Sequence, residues 1–161
     1  MIAELWENYP LIFLLLTSWA GTVTYVIIVT TMTALKCPGW EASVRRKADV
    51  PVSTFAMEAL VFAPLLEEIL FRAIPLGLTR HPVMIGIVVW GFAFAHFVGV
   101  SRNTPPGRTY LLAIEHTICS AIFTYVFLLY GLCASILFHA AHNLLPVTFY
   151  ALGKLDKSKT R

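Results

Sequence analysis

The chain has 161 residues, of which 58% are hydrophobic and 13% are charged, with a net charge of +3. Soluble domains are about 45–50% apolar and about 25% charged, so this composition excludes an ordinary soluble protein. It predicts one transmembrane domain over residues 1–161, an all-α polytopic bundle of about five spans in the lipid bilayer.

The first apolar run covers residues 10–35 and contains no charged residue. We predict that it is the first span, because it is long enough to cross a bilayer. Trp6 and Tyr9 precede it and are expected to anchor it at the membrane interface.

The second predicted span, about residues 53–78, contains two adjacent carboxylates and a guanidinium in its middle, at Glu67, Glu68 and Arg72. An ionised group near the bilayer centre costs about 2.5–3.5 kcal/mol, so each of these needs a partner. Glu68 and Arg72 are four residues apart and are predicted to pair on one helix face. Glu67 is rotated by about 140° from Arg72, which leaves its carboxylate available as a general base for water. Pro64 predicts a kink or break three residues before Glu67.

The third predicted span, about residues 83–100, has Phe92 and His96 four residues apart on one face. A single histidine in a membrane helix more often hydrogen-bonds to another helix than binds a ligand. His96 considered alone therefore favours a structural role.

The fourth predicted span, about residues 110–130, has Glu115 and His116 near one end. Adjacent helical residues point about 100° apart, and nothing in the sequence directs both side chains to one site. We interpret this pair as structural.

The fifth predicted span, about residues 132–152, follows a tight turn expected at Gly131. His139 and Asn143 are four residues apart in it, and His142 lies at the edge of the same face. This stripe predicts either an inward-facing polar site or a seam of hydrogen bonds between helices.

Cys37, Cys119 and Cys133 show no CxxC spacing. Neither a disulfide framework nor a thiolate metal site is predicted from them. Cys119 and Cys133 fall in apolar spans, where we expect small buried core residues.

Three polar motifs follow one another on successive apolar helices: E-E-x-x-x-R at Glu67, Glu68 and Arg72, F-x-x-x-H at Phe92 and His96, and H-x-x-x-N at His139 and Asn143. In this order they resemble the CAAX-protease and bacteriocin-processing family, also called Abi or CPBP, of intramembrane glutamate proteases. The resemblance implies a CPBP-like catalytic core over residues 53–152.

The resemblance further implies an endopeptidase that hydrolyses a peptide bond of a membrane-associated protein or peptide substrate. It implies that Glu67 activates water and that His96 helps to hold that water. His139 and Asn143 would stabilise the oxyanion of the tetrahedral intermediate, a role in which each donor typically contributes a factor of about 10²–10³. Glu68 and Arg72 would orient the site.

No cofactor or metal is implied by the resemblance, although the residues alone leave two alternatives open. Glutamate and histidine could instead bind zinc. The absence of an H-E-x-x-H pair and the nearby Arg72 argue against a zinc site. The chain could also be a non-catalytic immunity or scaffold protein, since a fold does not fix a function.

Basic residues cluster in the predicted first loop, third loop and tail: Lys36, Arg45, Arg46, Lys47, Arg102, Arg108, Lys154, Lys157, Lys159 and Arg161. Only Arg80 falls in a loop on the opposite side. The positive-inside rule then predicts a multi-pass protein of the cell (plasma) membrane with an outside N-terminus and a cytosolic C-terminus. Topology and lipid contact account for these charges, and no nucleic-acid partner is predicted.

Overall fold

The computed structural model describes residues 6–37, 50–101 and 106–159, and these residues form helices with no strand among them. The α-helices are α1 Pro10–Ala34, α2 Val52–Met57, α3 Ala63–Glu68, α4 Ile74–Leu78, α5 Pro82–Ser101 and α6 Pro106–Lys159. Some of the basic residues that predict the orientation lie outside the described residues: Arg45, Arg46, Lys47, Arg102 and Arg161.

Two stretches are apolar and long enough to cross a membrane, namely Pro10–Ala34 and Gly107–Lys154. In the most apolar part of the first stretch only 17% of the residues are buried, which leaves an apolar surface for lipid to cover. The all-helical architecture therefore agrees with a helical membrane protein. The number of spans stays a prediction.

Residues 52–78 are helical throughout, with two π-helical turns at Glu58–Phe62 and Ile69–Ala73. Each turn ends shortly before a proline, Pro64 in one case and Pro75 in the other. Proline has no N–H and crowds the carbonyl group four residues back, so a wider turn accommodates it without ending the helix. The disturbance that the sequence predicts at Pro64 takes this form.

Helix α6 reverses direction at Gly131, where φ is 81° and ψ is −177°. We call residues 106–130 its first arm and residues 132–159 its second arm. The arms pack against each other, because Oγ of Ser135 lies 3.2 Å from the Phe123 carbonyl oxygen. The turn predicted at Gly131 is confirmed.

The first arm of α6 forms the centre of the packing. One buried cluster joins Cys119 and Phe123 of the first arm to Phe138 of the second arm, with Leu14 of α1 against it. A second cluster joins Phe127 of the same arm to α4 and α5 through Leu76 and Val88. Helices from both ends of the chain thus pack around this arm.

Two of the cysteines were expected to be buried core residues, and the structure separates them. Cys119 is buried in the cluster just described, whereas Cys133 is exposed. The expectation was therefore wrong for Cys133, because an apolar span presents one side of the helix outward and hydropathy alone does not say which.

Replacing Gly131 with alanine tests the reversal. We expect Gly131→Ala to lower the free energy of unfolding by about 1–3 kcal/mol, because only glycine adopts this backbone conformation without strain. A Cβ atom at Gly131 would meet no other atom within 4 Å, so the cost would come from the backbone alone.

Gly153→Ala is the matched control, since Gly153 lies in the same helix and also has open space around it. Alanine is the better helix former there, so this variant should be as stable as the native protein or slightly more stable. Unfolding of the detergent-solubilised proteins provides the measurement. Equal stability of the two variants would contradict the reversal at Gly131.

Candidate active site

Glu68 and Arg72 form a fully buried ion pair, with 2.9 Å between Oε1 and Nη1. The Glu68 carboxylate also accepts a hydrogen bond from the Ser135 hydroxyl. Its Oε1 atom lies 2.8 Å from Nδ1 of His139. The second arm of α6 thus supplies two partners to this carboxylate, in addition to Arg72.

Arg72 is held equally firmly on its other side. Its Nη2 atom donates a hydrogen bond to the Ser120 hydroxyl at 2.9 Å, on the first arm of α6. The guanidinium carbon lies 4.4 Å from the centroid of the Phe92 ring and 5.6 Å from that of Phe123. Cation–π contact of this kind stabilises a buried charge that water does not reach.

Glu67, unlike Glu68, lines a cavity of about 540 Å³. Its Oε1 atom lies 3.8 Å from Nε2 of His96, and its Oε2 atom lies 3.7 Å from Nε2 of His139. These distances exceed that of a direct hydrogen bond and suit a bridging water. The carboxylate is 24% exposed, so unlike Glu68 it is open to small molecules in the cavity.

The hydrogen-bond partners of the two histidines indicate where their ring protons lie. Nδ1 of His96 is 3.0 Å from the Phe92 carbonyl oxygen, which can only accept. Nδ1 of His139 is directed in the same way at the Glu68 carboxylate. In the neutral rings, Nδ1 therefore carries the hydrogen, and each Nε2 presents a lone pair towards Glu67.

Asn143 ties the second arm of α6 to the first π-helical turn. Its Nδ2 atom donates a hydrogen bond to the Ala59 carbonyl oxygen at 2.8 Å. That carbonyl group has no helical donor, because the Ala63 N–H bonds to Glu58 instead and Pro64 has no N–H. The proline thus creates the acceptor that fixes Asn143 in the wall of the cavity.

The structure gathers the predicted site residues into two groups. Four of them line the cavity: Glu67, His96, His139 and Asn143. Glu68 and Arg72 do not line the cavity, and Glu68 contacts His139 from behind this wall. The arrangement can hold a water molecule between a carboxylate and two imidazoles.

Other polar residues of the cavity wall were not assigned to a site from the sequence. Glu115 and His116, interpreted there as structural, both line the cavity, and their carboxylate and Nδ1 atoms are 2.9 Å apart. The His116 ring centroid lies 4.6 Å from that of His96. Cys119 and His142 line the same cavity.

Ser120 and Ser135 also contact the ion pair, and neither is among the residues predicted from the sequence. Ser135 precedes His139 by one helical turn, so the spacing gave a signal that could have identified it. Ser120 gave no such signal, because its contact with Arg72 depends on how two distant helices pack.

Comparison with protein families gives one match. The family model described as Type II CAAX prenyl endopeptidase Rce1-like matches residues 50–145, which include all three polar motifs. This finding confirms the resemblance to the CAAX-protease family. No significant match was found among curated proteins or among solved structures.

Removing the guanidinium group tests the buried ion pair. We expect Arg72→Met to lower the free energy of unfolding by about 3–5 kcal/mol, because it leaves the Glu68 carboxylate buried without its counterion. Arg80→Met, at an exposed position, should change it by less than about 0.5 kcal/mol. Unfolding in detergent is again the measurement.

The double variant Glu68→Gln, Arg72→Met should recover part of the loss, because it removes both charges together. The single variant Glu68→Gln is measured as well. If the double variant loses as much free energy of unfolding as the two single variants together, the side chains do not interact and this account of the pair is wrong.

Proposed function

The chain belongs to the Rce1-like family of type II CAAX prenyl endopeptidases, and on this premise we propose that Glu67 activates the water that cleaves its substrate. The substrate would be a membrane-associated protein or peptide. Family membership supports peptide hydrolysis in general, and the geometry of the cavity supports the assignment of the base.

The observation that carries the proposal is the position of Glu67 between two imidazoles. Its two carboxylate oxygens face the Nε2 atoms of His96 and His139 at 3.8 and 3.7 Å, inside a cavity of about 540 Å³. Binding cavities for small ligands measure about 300–1,000 Å³, so a water molecule and part of a peptide fit here.

In the proposed reaction, Glu67 takes a proton from the water while the oxygen attacks the carbonyl carbon of the scissile bond. The carboxylic acid then returns this proton to the leaving amine. His96 holds the water, because its Nε2 lone pair can accept one of the water's hydrogens.

We assign His139 and Asn143 to the oxyanion of the tetrahedral intermediate. The Asn143 amide has two N–H groups and uses one of them for the Ala59 carbonyl oxygen, which leaves the other for the substrate. Nε2 of His139 faces the cavity beside Glu67, and it donates to the oxyanion when the ring carries a hydrogen on both nitrogens. Glu68 and Arg72 act as positioning residues, since the Glu68 carboxylate contacts Nδ1 of His139 and Arg72 pairs with that carboxylate.

We propose that the reaction needs no metal. His96 faces one oxygen of Glu67 and His139 faces the other, a pattern that suits water better than one ion bound by all three. Arg72, with its permanent positive charge, pairs with the neighbouring carboxylate and disfavours a dication here.

The base assignment is tested by comparing new peptide termini in membranes of cells that produce native protein or Glu67→Gln at matched levels. We expect the variant to lose the termini or to form them at least about 10²-fold more slowly. Glu58→Gln is the matched control, because Glu58 lines the same cavity from the same helical segment and is exposed. It should leave the termini unchanged.

Each measurement is repeated with a chelator. Termini that survive chelation support the metal-free mechanism, whereas termini lost on chelation favour the zinc-dependent version. If no terminus depends on the native protein, the enzymatic proposal fails and a non-catalytic membrane protein becomes the better account.

We also propose a multi-pass arrangement in the cell (plasma) membrane with the N-terminus outside and the C-terminus in the cytosol. The distribution of basic residues supports this orientation. In this arrangement Cys37, after α1, faces the cytosol, and Cys133, two residues after Gly131, lies near the outer surface.

A membrane-impermeant thiol reagent applied to intact cells tests the orientation. Cys133 is exposed and should react, whereas Cys37 should react only after the membrane is permeabilised. Cys119 is buried and should stay unlabelled in both conditions. Labelling of Cys37 but not Cys133 in intact cells would reverse the proposed orientation.

A further inference from the structure

A second group of potential ligands lies in the cavity wall, outside the three motifs. Glu115, Cys119 and His142 each offer one ligand atom, and these three atoms lie within 4.8 Å of one another. We propose that they form a zinc-binding site distinct from the site of Glu67.

The distances between the donor atoms are close to those around a tetrahedral zinc ion. Sγ of Cys119 lies 3.4 Å from Oε1 of Glu115 and 3.9 Å from Nε2 of His142, and the last two atoms are 4.0 Å apart. Zinc–ligand bonds of about 2.0–2.3 Å at tetrahedral angles separate the ligand atoms by roughly 3.3–3.6 Å. Shifts of a few tenths of an ångström close the site.

His142 contacts Ser18 through Nδ1, which leaves Nε2 available to bind a metal. The Ser18 hydroxyl donates its hydrogen to the Leu15 carbonyl oxygen at 2.8 Å, so its oxygen can accept from His142. Nδ1 of His142 lies 3.1 Å from that oxygen and donates to it. Nε2 therefore carries a lone pair towards Cys119 and Glu115, and the ring is held in a metal-binding orientation.

Glu115 is supported in the same way. Its Oε1 atom accepts a hydrogen bond from the Thr22 hydroxyl of α1 at 3.0 Å. Its Oε2 atom lies 2.9 Å from Nδ1 of His116. Supporting contacts of this kind hold a ligating carboxylate in place and strengthen metal binding.

The kinds of ligand indicate which metal fits. A thiol, an imidazole and a carboxylate suit zinc, whereas magnesium and calcium prefer oxygen ligands alone. Binding releases the proton of the Cys119 thiol to solvent, because the thiolate is the ligand. All three residues also line the cavity, so the fourth coordination position can be filled by a water molecule there.

The cysteine spacing by itself predicts no thiolate metal site, because the sequence has no CxxC pair. The candidate site instead combines Glu115 and Cys119, one turn apart on the first arm of α6, with His142 on the second arm. The reversal at Gly131 brings them together, which short-range spacing does not reveal.

Metal binding to the purified, tag-free protein in detergent tests the proposal. After chelator treatment and its removal, Zn²⁺ or Co²⁺ is added, and bound metal is measured by mass spectrometry. We expect one ion per chain, with an absorption band from thiolate bound to Co²⁺. Cys119→Ser should abolish the band and weaken Zn²⁺ binding at least about tenfold.

Cys133→Ser is the matched control, because it removes an exposed thiol from the same helix, and it should bind as the native protein does. Ser18→Ala keeps all three ligands but removes the acceptor for His142, and should weaken binding by about 10–100-fold. If Cys119→Ser fails to fold, the zinc affinity of Ser18→Ala still tests the proposal.

Glu67→Gln separates this proposal from the catalytic one, since it should abolish proteolysis and leave zinc binding unchanged. Zinc binding that is lost in Glu67→Gln but kept in Cys119→Ser would move the ion to the catalytic site and overturn the proposal. Native protein that binds no stoichiometric metal would also overturn it.

Discussion

The buried pair of Glu68 and Arg72 is the interaction on which the arrangement of the site depends. Two charges without water are tolerated only where other groups supply hydrogen bonds to them. Ser120 from one arm of α6 accepts a hydrogen bond from Arg72, and Ser135 from the other arm donates one to Glu68. This requirement fixes the register of three helical segments. Nδ1 of His139 contacts the same carboxylate. This contact orients the ring so that Nε2 faces Glu67.

Pro64 also helps to position the residues of the site, through its effect on the backbone. A regular α-helix would satisfy the Ala59 carbonyl group internally and leave Asn143 without this partner. The π-helical turn before Pro64 frees that carbonyl group, and the Asn143 amide bonds to it at 2.8 Å. The irregular backbone therefore connects the helix of the carboxylates to the helix of the histidine and asparagine. A Pro64→Ala change would act on Asn143 as well as on its own helix.

Short-range spacing predicted part of this site and could not predict the rest. The pairing of Glu68 with Arg72 and the separate orientation of Glu67 follow from 3.6 residues per turn, because both concern one helix. The reversal at Gly131 follows from the conformational freedom of glycine. The contact between Ser120 and Arg72 depends on the register between helices, which arises only when many side chains pack together.

Glu67, the proposed base, and the proposed zinc ligands belong to one connected polar surface. His116 bonds to Glu115 through Nδ1, and its ring lies 4.6 Å from that of His96, whose Nε2 faces Glu67. Polar groups in an apolar bundle are costly alone and become tolerable when they share partners and one water-accessible cavity. Glu115 and Glu67 therefore lie in the wall of one cavity, with the imidazoles of His116 and His96 between them.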